Sequence, residues 1–160
     1  MPDSAGQLVL LDALLETGPV IVSLNRGHWC PYCRLELRAL ARAAPYFAQR
    51  RAQIVSIVPE PAELTGLLVE KQSLPFKALS DMDLAYTSTL NLVVAVNAEV
   101  VAIYRELGID LPRFQAREGW LLPIPATFVV GTDRKIRAAF VDPEFRRRMT
   151  IEQIEAALDD

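Results

Sequence analysis

Two stretches of the chain are apolar almost without interruption, VIVSLN at 20–25 and AQIVSIVP at 52–59. Both are rich in β-branched residues and lack polar alternation, the pattern of strands covered on both faces. Gly18-Pro19 punctuates the chain just before the first. Between them, CPYCRLELRALARAAPYFAQRR places Leu37, Leu40, Ala41, Ala44 and Phe47 at helical spacing, with Pro45 expected to kink or restart the helix. Pro61 is expected at the first position of another helix, AELTGLLVEKQ. FKALSD (76–81) reads as a short strand or turn and DMDLAYTSTL as a helix. NAEVVAIYRELG reads as a helix ended by Gly108, and IDLPRFQAREGW as a loop. ATFVVGT (126–132) and KIRAAFV (135–141) flank Asp133-Arg134 as a hairpin, and Thr150 with Gln153 forms a capping box for the last helix, IEQIEAALDD. The order strand, helix, strand, helix, hairpin, helix predicts an α/β protein whose mixed sheet has helices on both faces.

Composition narrows the function classes. At 160 residues, 51% of them apolar, the chain suits one domain spanning 1–160. A net charge of −3, from 17 basic and 20 acidic residues, argues against nucleic acid and anionic membranes as partners. The one dense basic run, Arg146-Arg147-Arg148, lies beside Asp142 and Glu144 and reads as a solvated helix entrance. MPDSAGQLVL does not resemble a secretory signal, and the uncharged stretch from Leu84 to Ala98 is too short and polar for a membrane span. A cytoplasmic protein is therefore expected. In a reducing compartment, closely spaced cysteines point to catalysis or metal binding rather than to a structural staple.

The chemistry concentrates in RGHWCPYC, residues 26–33, which hold both cysteines and the single histidine. With Cys30 at the cap and Pro31 at the first helical position, Cys33 falls at the third, on the same edge of the first turn. Unpaired N–H groups and the helix dipole favour negative charge there, and a thiol so placed can have its pKa lowered from about 8.5 to between roughly 3.5 and 7.5. The thiolate is the form that attacks disulfides and peroxides. Cβ atoms at this spacing are about 5–6 Å apart, so a disulfide closes with modest distortion and opens readily. Two alternatives stand beside this redox reading: two small core residues, or a zinc site completed by His28 and carboxylates.

WCPYC after a buried strand, followed by LEL and later by PIPATFVV and a hairpin, resembles the thioredoxin superfamily. More closely, from about Gln7 to Leu158, the chain resembles the AhpC/TSA-type, peroxiredoxin-like proteins whose signature is RGxWCPYCxxEL. The resemblance implies a thioredoxin-like fold with a central mixed sheet flanked by helices. It implies that Ile124-Pro125 is a cis bond facing the cysteines and shapes a groove, with Trp29 as one wall. By the thioredoxin pattern Cys30 is the exposed nucleophile and Cys33 the buried resolving thiol. By the peroxiredoxin pattern P-x-x-x-T-x-x-C, Cys33 takes the place of the attacking cysteine and CRLEL matches C-P-T-E-L, making Glu36 the family's glutamate. Arg26 then replaces the motif's proline and Cys30 its threonine, while Pro125 stands where an arginine is expected. Arg26 or Arg34 is a candidate substitute for that arginine. Leu24 stands where thioredoxins bury an acid.

The expected activity is thiol-dependent reduction of disulfides or hydroperoxides by Cys30 and Cys33, without metal or organic cofactor. A cellular dithiol of thioredoxin or glutathione type would reset the pair. Arg26, His28 and Tyr32 are assisting candidates: His28 as a proton carrier, Tyr32 as a donor to a thiolate or a surface stack. Trp120 and Phe114 either cover the site or anchor their loop to the core. The alternative is a non-catalytic thioredoxin-fold binding module with zinc or a static disulfide at CPYC.

Overall fold

The computed structural model describes residues 1–159. Its centre is a five-stranded sheet built from β1 (Val20–Leu24), β2 (Gln53–Val58), β3 (Lys77–Ser80), β6 (Ala126–Val130) and β7 (Ile136–Val141). The strand order is β3-β2-β1-β6-β7, with β1, β2 and β3 parallel and the β6–β7 hairpin antiparallel. The expected mixed sheet is present. A two-stranded sheet pairs β4 (Val93–Ala95) with β5 (Leu121–Pro123).

Strand alternation divides the core into layers and, at one end, builds a polar floor. Val20, Val22 and Leu24 pack with Val55, Ile57, Ala126 and Val130 on one face, where the N-terminal segment and α1 (Leu11–Leu15) close the layer. Ile21, Ile54 and Val129 face the other way, onto α2 (Pro31–Gln49) and α7 (Ile151–Asp159), with Phe47, Leu40 and Ile154 as the large fillers. Ser23, Ser56 and Thr127 share that second face. The register sets Ser23 opposite both Ser56 and Thr127, so three hydroxyl residues line up across adjacent strands below the start of α2. Val58 and Leu37 join Leu68 of α3 (Ala62–Gln72) in a third cluster.

Several sequence expectations shift. Helix α2 runs unbroken across Pro45. Pro61 caps α3 rather than opening it. The DMDLAYTSTL segment yields only α4 (Ala85–Thr89). Asn97 caps α5 (Ala98–Glu106), and Gly108 follows at φ +72°. The stretch read as a loop holds α6 (Leu111–Gln115), capped by Asp110, and then β5. These are short pieces whose pairing partners lie some 30 residues away, which local periodicity does not reveal. The capping box of α7 forms as expected: Gln153 N–H donates to Thr150 Oγ1 at 3.2 Å and Thr150 N–H to Gln153 Oε1 at 2.9 Å.

The expected cis bond at Ile124-Pro125 is not present; among the described residues every peptide bond is trans. Ile124 N–H donates to Leu92 O at 2.7 Å, and only two residues separate β5 from β6. An extended path suits that short link, and a trans unit gives the longer Cα–Cα step, about 3.8 Å against about 2.9 Å. Among the described residues, no helix is long and apolar enough to cross a membrane.

Candidate active site

The turn from β1 into α2 brings the two sulfurs together. Cys30 is the cap residue, Pro31 opens the helix, and Arg34 N–H donates back to Cys30 O at 3.1 Å. Both sulfurs are free thiols. Neither is exposed: Cys30 is 1% accessible and Cys33 0%, so the expectation of an exposed nucleophile is corrected. The preceding turn is drawn inward because Arg26 N–H donates to Cys33 Sγ at 3.4 Å and the Arg26 side chain is itself buried. The guanidinium carbon of Arg26 lies 5.0 Å from the Trp29 ring centre and 4.2 Å from that of Phe145, and the group donates to the Tyr104 hydroxyl. Cation–π contact lets a charge sit there away from water.

The thiols are driven apart in acidity. Cys30 is pulled down from 9.0 to about 6, first by the Cys33 thiol donating to its sulfur, then by the Cys33 N–H and the charges of Arg26 and Arg148, against the cost of burial. Cys33 is pushed well above 9.0, chiefly by burial and then by the neighbouring Cys30 thiolate. One sulfur therefore carries the charge and the other keeps its proton as a donor to it. At neutral pH the couple holds a ready nucleophile and a protonated partner.

Arg148 is the main departure from the sequence reading. Arg146 and Arg147 lie exposed and pair with Glu144 and Asp142, as expected of a solvated run. Arg148 turns inward, its Nη2 donating to Cys33 Sγ at 3.5 Å and its Nε to Glu36 Oε2. Glu36 is buried and also accepts from Thr127 Oγ1 at 3.1 Å and Ser23 Oγ at 3.2 Å, two residues of the polar floor. Burial raises its pKa, while Arg148 and the two hydroxyls oppose the rise. Asn25 extends the floor, donating to Ser23 Oγ at 2.8 Å and Ser56 Oγ at 3.1 Å. Leu24, where a buried acid was missing, is plain core; Glu36 brings the carboxylate from the helix instead.

The remaining candidates separate. Pro125 and Ile124 line a cavity of about 140 Å³ together with Arg26, Val94, Leu122 and Phe145. Trp29 packs edge-on against Tyr104 at 5.6 Å and forms part of the Arg26 enclosure. Tyr32 makes an edge contact with Phe145 at 5.5 Å, matching the surface-stack reading. Among the described residues the Arg34 side chain makes no hydrogen bond here, and the guanidinium beside the sulfurs comes from Arg148 instead. His28 is bound to the wholly buried Glu60, with Phe114 edge-on at 5.0 Å. Trp120 lies on Tyr104, with Arg105 over it. Sequence reasoning missed Arg148, Glu60 and Tyr104, since nothing local to any of them signals its partner. Among the described residues, no group of three or more His, Cys, Asp or Glu is placed to hold a metal ion.

The model of the AhpC/TSA family matches residues 1–139. No curated protein sequence matches the chain. Among solved structures, the chain is similar to peroxidoxin BcpB from Mycobacterium tuberculosis at 22% identity and a TM-score of 0.74, covering 99% of this chain and 88% of that one. It is similar to a cysteine-to-serine mutant of peroxiredoxin Q from Xanthomonas campestris at 16% identity and 0.72, covering 99% and 86%. A cysteine-to-serine mutant of the peroxiredoxin 6 of Arenicola marina matches at 14% identity and 0.72, covering 98% of this chain and 66% of that one. With a family model matched over most of its length and a fold similar to those of solved peroxiredoxins, the chain belongs to the AhpC/TSA family.

Proposed function

We propose that the protein is a thiol-dependent peroxidase in which Cys30 attacks a hydroperoxide and Cys33 resolves the product. The carrying observation is the sulfur pair at the start of α2, one pKa lowered to about 6 and the other raised. The Cys30 thiolate attacks one oxygen of the O–O bond; an S–O bond forms, the O–O bond breaks, and the other oxygen leaves and takes up a proton. The resulting sulfenic acid meets the Cys33 thiol, an S–S bond forms and water departs. An external dithiol of thioredoxin or glutathione type returns the disulfide to two thiols by exchange.

Arg26 and Arg148 support the reading in two ways. Their charges favour the thiolate, and their remaining N–H groups suit the oxygens of a bound peroxide. The apolar cavity beside Arg26, walled by Val94, Leu122, Ile124, Pro125 and Phe145, fits an organic substituent. Small oxidants are favoured over protein disulfides because Cys30 is only 1% accessible.

Single-turnover mixing of the reduced protein with hydrogen peroxide or cumene hydroperoxide, followed by thiol titration, tests this. Expected is rapid loss of two thiols per chain in the parent and of one in Cys33→Ser, with none in Cys30→Ser. A rate no faster than that of a free thiol would remove the peroxidase reading. Rapid reduction of a small mixed disulfide by the same sample would then favour disulfides as the substrate, the second reading that C-x-x-C spacing supports.

A further inference from the structure

Arg26 sits against the usual preference of its type. It is only 5% accessible, yet among the described residues no carboxylate pairs with it, whereas Arg148, the other arginine beside the sulfurs, is paired with Glu36. A long flexible side chain ordinarily carries an unpaired charge out to water. To stay inside, the guanidinium needs acceptors and aromatic faces in place of its hydration.

Three elements supply them. Its own turn brings Trp29, whose ring centre lies 5.0 Å from the guanidinium carbon, and the segment after β7 brings Phe145 at 4.2 Å. The hydrogen-bond acceptor comes from α5: Arg26 Nη2 donates to the Tyr104 hydroxyl, and among the described residues the guanidinium makes no other hydrogen bond. Tyr104 is itself held by aromatic rings, edge-on to Trp29 at 5.6 Å and tilted against Trp120 at 6.5 Å, with Arg105 over Trp120 at 5.4 Å. No residue of α5 is fully buried, and Tyr104 is the one that meets Arg26 and Trp29.

This arrangement fixes where a charge points. Three ionisable groups act on the Cys30 sulfur, namely Cys33, Arg26 and Arg148, and Glu36 acts on Arg148 in turn. Coulomb attraction weakens with distance and with exposure to water. A guanidinium swung out to solvent keeps its charge but loses most of its hold on the thiolate.

We propose that Tyr104 is a positioning residue for the thiol chemistry: its hydroxyl keeps the Arg26 guanidinium inside the site, where that charge favours the Cys30 thiolate. It acts through Arg26, with no hydrogen bond to either sulfur among the described residues. This rests on Cys30 being the working nucleophile, as proposed above.

The test is a double-mutant cycle on the reduced protein, using Tyr104→Phe, Arg26→Gln and the two combined. Its readout is the midpoint of iodoacetamide alkylation against pH. Phenylalanine keeps the ring between Trp29 and Trp120 and removes only the oxygen. Expected for Tyr104→Phe is an upward move of about half a unit, which slows alkylation about 2-fold near pH 6. The plateau rate at high pH should be unchanged, and the double variant should move no further than Arg26→Gln alone. An unmoved or lowered midpoint, or a double variant that shifts by the sum of the two, would overturn the positioning role. So would faster alkylation at every pH, which reports lost cover rather than a displaced charge. A parent midpoint near 9.0 would instead overturn Cys30 as the ready nucleophile.

Discussion

Cys30 and Arg148 carry the argument at the scale of single residues. A cap sulfur with its pKa lowered to about 6 is mostly thiolate at neutral pH, whereas Cys33 remains protonated. Removing a cation destabilises the thiolate, so Arg26→Gln and Arg148→Gln should each raise the Cys30 pKa by about one unit. Measured as iodoacetamide alkylation against pH, the midpoint should move upward from about 6 in both. Glu36→Gln has the opposite sign: without its carboxylate the Arg148 charge is uncompensated, and alkylation at low pH should rise. A fall there would mean that Glu36 acts chiefly by holding Arg148 in place. Arg148 acts on both Cys30 and Cys33 while it is held by Glu36, which neither residue's sequence neighbours disclose.

Among elements, α7 links stability to the site. Its capping box closes two residues after Arg148, and its apolar face packs with α2 on the sheet. Thr150→Ala removes one half of the box and should cost about 1 kcal/mol in urea unfolding. The same change should leave the alkylation midpoint nearly where it was, since Arg148 is held by Glu36 rather than by the cap. Helix α2 presents a different case. It carries Pro45 in its interior, where a carbonyl loses its donor. Pro45→Ala should raise stability by about 1–3 kcal/mol without touching the thiols, as a shift in the denaturant midpoint would record.

For the molecule as a whole, the thiol shifts predict how stability of the reduced protein varies with pH. Cys30 has a folded pKa below its unfolded one, so its contribution is fully present above about 9 and is lost as pH falls through about 6. Cys33, shifted upward, acts in the opposite sense and only as pH rises above 9.0. Between these limits the reduced protein should gain stability with pH, by at most a few kcal/mol, and Cys30→Ser should lack that gain. Chemical denaturation at pH 5.5 and 8.5 measures both.

The whole-molecule view also separates what the chain carries locally from what folding assembles. The strands at 20–25 and 52–59, the hairpin around Asp133-Arg134, the cap sulfur before α2 and the Thr150–Gln153 box were all legible in the sequence. Each rests on interactions within a few residues, or on burial of both faces of one strand. Backbone chemistry and hydrophobic periodicity suffice to state them. The trans path at Ile124-Pro125, the pairing of β4 with β5, and the inward turn of Arg148 were decided by tertiary structure. So were the burial of Glu36 and the clasp of Glu60 on His28. For the charged groups the physical reason is the same throughout. Whether a charged side chain is solvated or buried depends on which partner the fold brings within hydrogen-bond reach, and those partners lie from 32 to 115 residues away along the chain.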